Sequence, residues 1–425
     1  MAFDIDHHFK AYPLLAPPTA VDGFAERQWH VLDDVMPYPL ATLRKPALMH
    51  NLAWMQDWAR RKGVQLAPHG KTTMSPELFR LQLQAGAWGM TVATVHQLQL
   101  ALEAGAQRCI IANQVLADAD LDGLDALLTR YTGARVWFLV DSLAQLAMIE
   151  DWAQRRSSAR CFDVLLELGT EGFRTGCRTQ DEALALARAL AASPVALLGG
   201  VECYEGGLAQ CDSAHDSEAV SALVRRVRSV VQAIDAEGLW GDEQLLITAG
   251  GSAIFDLVIP LLTGYPLSRP VQGVLRSGCY VTHDHGRYAN FLQLVEQREG
   301  LKGSLRPAIE IWTMVQSVPE PGLALLSAGR RDVSFDQRMP MPVRWAARGS
   351  RGIEATPAHW EVHALSDQHA HMRFDPAGDS AGISPKVGDR VALGISHPCT
   401  TFDKWRWMAL VDDEARITGA IGTHF

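Results

Sequence analysis

The sequence predicts an α/β fold: a (β/α)8 barrel of the TIM type, followed by a mainly antiparallel β domain. Three observations carry that expectation. From about residue 38 to 295, short apolar runs alternate with longer amphipathic stretches, the pattern of a parallel sheet whose strands are joined by helices. The apolar runs can be counted as eight, the number that closes a barrel. Beyond about residue 300 the amphipathic stretches stop, and strand-like runs separated by Gly, Pro and Asp clusters follow one another, as in an antiparallel sheet.

In chain order, the eight runs are 64–69, 89–94, 109–113, 135–140, 162–168, 196–203, 244–249 and 272–278. Between them, helical spacing with charged faces marks 76–85, 95–104, 118–131, 142–155, 181–192, 214–237 and 254–263. In the second region, strands are expected at 308–318, 322–327, 361–365, 371–374, 390–395 and 408–411, with loops at 349–352 and 375–384. The domains are accordingly 38–295 for the barrel, and 1–37 with 296–425 for the β-rich part.

Bulk properties narrow the function. A chain of 425 residues has room for both domains. A net charge of −9 without a long basic run argues against nucleic-acid and anionic-membrane partners. The start, MAFDIDHHFK, lacks the basic and apolar regions of a signal peptide, and no apolar run is long enough to span a bilayer. Seven cysteines, an odd number with no CxxC pair, indicate reduced thiols. A cytoplasmic protein acting on a small molecule is expected.

Lys71 is the most informative residue. It follows the first strand in Leu66-Ala67-Pro68-His69-Gly70-Lys71-Thr72-Thr73, at the strand end where α/β folds place their chemistry. A lysine there can stay solvated, bind phosphate, or hold a carbonyl as a Schiff base. Two loops favour a phosphate nearby. Gly250-Gly251-Ser252 follows the seventh strand, where glycines let backbone N–H groups approach an anion. Arg276-Ser277-Gly278-Cys279-Tyr280 follows the eighth, near which such barrels often bind phosphate. Arg174, in the glycine-rich loop after Glu167, can be an ion-pair member or address a ring nitrogen or a carboxylate. Tyr204, after the sixth strand, offers an aromatic wall or core packing. A lysine, phosphate loops, a ring-nitrogen partner and an aromatic wall are what pyridoxal 5'-phosphate requires. No Walker-type run is present, so a nucleotide is the weaker phosphate ligand.

In the second domain, His397-Pro398-Cys399 is read as an extended segment, whose residues i and i+2 point the same way and can grip one metal. Imidazole plus thiolate suits Zn2+. His369 is a further ligand or a polar neighbour. His283 and His285 have metal-like spacing but follow the phosphate loop, which argues against that role.

Taken together, these motifs resemble the fold-type III pyridoxal-phosphate enzymes with an alanine-racemase-like barrel, specifically the D-serine dehydratase/D-threonine aldolase group. The resemblance runs from about Pro39 to Phe425. It rests on Pro68-His69-Gly70-Lys71-Thr72, Tyr204-Glu205-Gly206, Gly250-Gly251, Arg276 to Tyr280 and His397-Pro398-Cys399. It implies that Lys71 carries the cofactor and abstracts the substrate α-proton. His69 belongs to the cofactor-binding set, Gly250, Gly251, Ser252, Gly278 and Tyr280 hold the phosphate, and Arg174 or Tyr204 sits near the ring. His397 and Cys399 bind a divalent metal, expected to be Zn2+, that contacts the substrate β-hydroxyl. A homodimer is implied as well. Ala67 and Thr73 stand where the group commonly has arginine and histidine. His-x-Cys, rather than His-x-Asp, favours dehydration of a D-β-hydroxy amino acid to a 2-oxo acid and ammonia. Retro-aldol cleavage is the alternative, with a racemase or a non-catalytic cofactor carrier behind it.

Overall fold

The computed structural model describes residues 4–264, 266–377 and 383–425. Eight parallel strands form the first sheet: β1 (Gln65–Leu66), β2 (Met90–Val92), β3 (Arg108–Gln114), β4 (Arg135–Val140), β5 (Phe162–Leu168), β6 (Ala196–Cys203), β7 (Leu245–Ala249) and β8 (Val271–Leu275). β8 returns to pair with β1. The ring closes between β1 and β2, where Trp88 N–H donates to Leu66 O (2.7 Å), Thr91 N–H donates to Pro68 O (2.9 Å), and His69 and Thr91 form a parallel bridge. The barrel class read from the sequence is therefore correct, and β4, β5 and β6 have the expected bounds.

Side chains fill the barrel. Ala67, Ile110, Trp137, Leu139, Leu165, Leu246 and Val274 form a buried cluster of their own; Trp137 and Leu139, two apart on β4, share its inward face, as the alternation of a strand's faces requires. Ala67, where the group commonly has arginine, thus lies fully buried in this inner packing. A second and larger core joins the outer faces of the strands to the helices and to the β domain. Helix starts are set locally: Ser75, Thr94, Ser142 and Thr179 each accept an N–H of the following first turn through the side-chain oxygen.

Among the described residues, the β domain is a ten-stranded arrangement that includes Ile309–Glu320, Leu323–Leu326, Met341–Ala346, Glu361–Leu365, Ala370–Arg373, Arg390–Gly394, Trp407–Val411 and Ile417–Gly422. Its pairings are antiparallel with one exception. Leu40–Arg44, grouped with the barrel by its position in the sequence, runs antiparallel to Ile309–Glu320 and parallel to Trp407–Val411. Four of its five residues are uncharged, and the same four are buried, so it reads equally well as a strand of either sheet.

Three further readings change. Residues 254–263 are helical only at Ile259–Leu262. Ile254, Phe255 and Val258 are buried, with Phe255 edge-on to Trp58 at 4.8 Å, so apolar burial of a folded-in loop mimics a helix face. Helix Arg287–Glu299 crosses the expected boundary at 295. Beyond residue 300, where no helix is expected, Pro398–Phe402 is a short one. The loop expected at 375–384 lies partly outside the described residues. Among the described residues, no helix is long and apolar enough to cross a membrane.

Candidate active site

The segment after β1 turns sharply. Pro68 leads into a 3-10 turn at Gly70–Thr72, in which Thr73 N–H and Met74 N–H both donate to Gly70 O (3.1 and 2.9 Å). A Cβ on Gly70 would come within 2.6 Å of the Phe79 ring, so only glycine lets the turn lie against the helix that follows. The same economy holds at Gly278, whose Cβ would meet His69 O at 2.6 Å. The end of β8 thereby packs directly on the lysine turn.

Lys71 points into a cavity of about 190 Å3 at the carboxyl ends of the strands, larger than the ~150 Å3 void that accepts a benzene ring in an engineered core. His69, Arg174 and Tyr204 line it. Gly250, Gly251, Ser252 and Gly278 form another part of its wall, and His397 and Cys399 reach it from the β domain. Tyr280 does not: its ring is buried, and its hydroxyl faces Gln82 Nε2 at 3.5 Å.

The chemistry of the wall differs from expectation in two places. The Gly250 and Gly251 N–H groups donate to the buried Glu205 carboxylate (3.0 and 2.5 Å), so the turn that looked like an anion nest holds an internal anion. On the facing loop, Ser252 Oγ accepts the N–H groups of Gly278 (3.3 Å) and Cys279 (3.1 Å). Second, His397 and Cys399 are not on an extended segment. His397 caps the short helix, and Cys399 lies in its first turn. Pro398 is the local cause, since proline is favoured at the first helical position.

The structure gives the lining residues partners that the sequence did not show, and adds Tyr288 and Asp336, which carried no signal there. Arg276 is almost fully buried; it ion-pairs with Glu202 and donates to Thr248 Oγ1 (2.9 Å) and Cys203 O (3.2 Å). Burial raises the Glu202 carboxyl to about 7 even against the opposing Arg276 charge. Arg174 stands over the Tyr204 ring at 4.8 Å, a cation–π contact. Tyr288 and Cys279 also line the cavity. Asp336 holds His397 by a 2.5 Å contact from Oδ2 to Nδ1, and accepts from Thr400 Oγ1 (2.8 Å). His369 is exposed in a turn and is absent from the cavity lining. His283 is buried and His285 half-buried, flanking Asp284, which accepts the N–H groups of Gly286, Tyr288 and Ala289. This stretch fixes a helix start.

Burial lowers the Lys71 ammonium below its ordinary value, with Arg174 and Arg276 adding to the effect and the Cys399 and Cys279 sulfurs opposing it. The Cys399 thiol comes down to about 7, chiefly through its hydrogen bond with Cys279, then Thr72 and the Lys71 charge. Its neighbour Cys279 is pushed up by that same contact and by burial. The arrangement sets a desolvated amine beside a thiol that ionises readily, in a cavity whose walls come from both domains.

The "Alanine racemase, N-terminal domain" family matches residues 43–260, slightly more than half of the chain. The "Putative serine dehydratase domain" matches residues 308–411. D-threo-3-hydroxyaspartate dehydratase from Delftia sp. (strain HT23) is 29% identical over 373 residues, covering 85% of this chain and 91% of that protein. D-threonine aldolase from Arthrobacter sp is 28% identical over 387 residues, covering 88% and 91%. The crystal structure of D-threonine aldolase from Filomicrobium marinum has the same fold, with a TM-score of 0.74, 22% identity and coverage of 91% and 95%. A cysteine-to-alanine variant of D-threo-3-hydroxyaspartate dehydratase, solved in the metal-free form, matches with a TM-score of 0.69, 22% identity and coverage of 93% and 99%.

Proposed function

Because the chain belongs to the alanine racemase N-terminal domain family, we propose that it is a pyridoxal-phosphate- and metal-dependent lyase that dehydrates a D-β-hydroxy amino acid to a 2-oxo acid and ammonia. The single observation that carries this reading is the meeting of Lys71 and Cys399, from different domains, on one cavity. The acidic Cα–H and the β-hydroxyl of such a substrate sit on neighbouring carbons, so Lys71 would address one and a metal on Cys399 the other.

The cavity suits the cofactor. It offers a desolvated lysine amine, and it contains buried polar atoms without partners at His69 Nδ1, Glu202 Oε2 and Arg276 Nε. Lys71 would hold the cofactor, Ser252 and Gly278 its phosphate, and Tyr204 with Arg174 one side of its ring. When bound, pyridoxal phosphate supplies an electron sink for the charge left at Cα after proton removal. The Lys71 amine takes that proton. Burial serves this step, since an amine with a lowered pKa is more often neutral and able to accept.

His397 and Cys399 suit a divalent metal. Asp336 occupies Nδ1 of His397, which fixes the ring and leaves Nε2 as the ligand atom, the usual carboxylate–histidine arrangement behind a metal. When bound, the metal supplies Lewis-acid polarisation of an alcohol oxygen. His397 and Cys399 would hold it where the β domain meets the cavity. Water leaves, the aminoacrylate product takes water back on hydrolysis, and the net change from the amino acid is loss of ammonia.

The D-threonine aldolase relative supports retro-aldol cleavage as the second reading. Incubating the protein, pyridoxal phosphate and Zn2+ with D-threonine separates the two. 2-Oxobutanoate with ammonia is expected. Glycine with acetaldehyde would overturn dehydration, and neither product would reject D-threonine as a substrate.

A further inference from the structure

Cys279 plays no part in the proposed reaction, yet its sulfur lies 3.7 Å from that of Cys399. A disulfide would bring the pair to ~2.05 Å, so both are free thiols. Two thiolates on one tetrahedral zinc, each at ~2.3 Å, stand about 3.8 Å apart. The observed spacing matches that figure. We propose that Cys279 is a second thiolate ligand of the metal assigned above to His397 and Cys399, an inference that rests on that metal reading.

The surroundings are built for it. Cys279 opens a 3-10 turn and is held from behind by its N–H bond to Ser252 Oγ (3.1 Å). Cys399 is held by the helix at Pro398–Phe402. Thr72 Oγ1 lies 3.5 Å from the Cys399 sulfur and 3.7 Å from that of Cys279, within reach as a hydroxyl donor to either thiolate. The two sulfurs come from opposite domains, one following β8 and the other following Arg390–Gly394. A shared ion would tie the barrel to the β domain at the mouth of the cavity. Among the described residues, no group of three metal-binding donor atoms within 4.8 Å of one another includes these two cysteines. His397 therefore lies more than 4.8 Å from at least one of the two sulfurs, and the sulfur pair is the preset part of the site.

Each thiol gives its proton to solvent as the ion binds. Two thiolates and an imidazole form a soft donor set, which selects Zn2+ over Mn2+ or Mg2+. One position of a tetrahedron stays open for a substrate oxygen.

Co2+ titration of the reduced, chelator-treated protein loaded with pyridoxal phosphate tests this through the near-ultraviolet thiolate-to-cobalt absorption. The wild type shows the band. Cys279→Ser keeps the cofactor absorbance but loses about half of the band, and its Zn2+ affinity falls at least tenfold, the lower bound for losing even an outer-shell partner. A full band in Cys279→Ser, together with a diminished one in Cys399→Ser, would overturn the role of Cys279 and leave the metal site standing. No band in the wild type would overturn both. X-ray absorption of the zinc-loaded wild type needs no variant: two sulfur neighbours support the proposal, and one rejects it.

Discussion

Arg276 and Glu202 pair inside the barrel with only 2% of each side chain exposed. Removing either partner leaves the other charge almost fully buried. Arg276→Ala or Glu202→Ala is expected to cost about 3–5 kcal/mol, the usual penalty for stranding one member of a buried pair. Urea unfolding of each variant measures it. The double replacement Arg276→Met/Glu202→Leu should recover most of the loss, and a double variant as unstable as the singles would show that the pair is not the cause.

Asp336 gives a second test. Asp336→Ala leaves His397 and Cys399 in place but removes the anchor at Nδ1. Zn2+ affinity is expected to drop by about 10–100-fold, read by competition with a chromophoric chelator. Thr400→Ala, which removes the other contact to the same carboxylate, should have a smaller effect in the same direction.

Lys71 provides a pH dependence. Its amine must be neutral to condense with an aldehyde, and burial lowers its pKa. The rate at which the cofactor-free protein takes up pyridoxal phosphate should rise with pH to a plateau, with a midpoint below that of an ordinary lysine. Lys71→Ala should abolish the imine absorbance altogether. A midpoint at the ordinary lysine value would mean that the amine is solvated when it reacts.

His283 and His285 give a stability profile. Burial lowers them to about 3 and about 4, so both are neutral in the folded state. The unfolded chain binds protons at these positions below about pH 6.5, where the folded protein does not. Stability is fully present above that pH and falls as pH drops, by about 2 kcal/mol per histidine at pH 5. The loss of unfolding free energy between pH 7 and pH 5 should be smaller in His285→Phe than in the wild type by about 2 kcal/mol. An equal slope in that variant would place the acid sensitivity elsewhere.

What the sequence made legible is local. Lys71, the glycines and Arg276 all sit at strand ends, where an apolar run stops and chemistry-bearing residues begin, so a single segment suffices to find them. The strand runs at 135–140, 162–168 and 196–203 were as plain. What it hid depends on distant partners. The N–H groups of Gly250 and Gly251 read as an open nest until Glu205, 45 positions earlier, is seen to fill it. Asp336 lies 61 residues from the histidine that it holds, and Cys279 lies 120 residues from Cys399. One signal was available and misread: Pro398 after His397 marks a helix start rather than a strand.

The strand Leu40–Arg44 has a kinetic consequence. Its neighbours, Ile309–Trp312 and Ala409–Val411, lie more than 260 and 360 residues away in the chain. Closing such spans costs conformational entropy before any contact repays it, and topologies dominated by remote pairings fold slowly. Gly422 N–H donates to Glu77 Oε2 (3.2 Å), and His424 N–H to Met74 O (2.9 Å). Almost the whole length must therefore be in hand before the turn that carries Lys71 is locked. During synthesis the barrel strands are made first, but the reactive lysine waits for the last sheet to close around it.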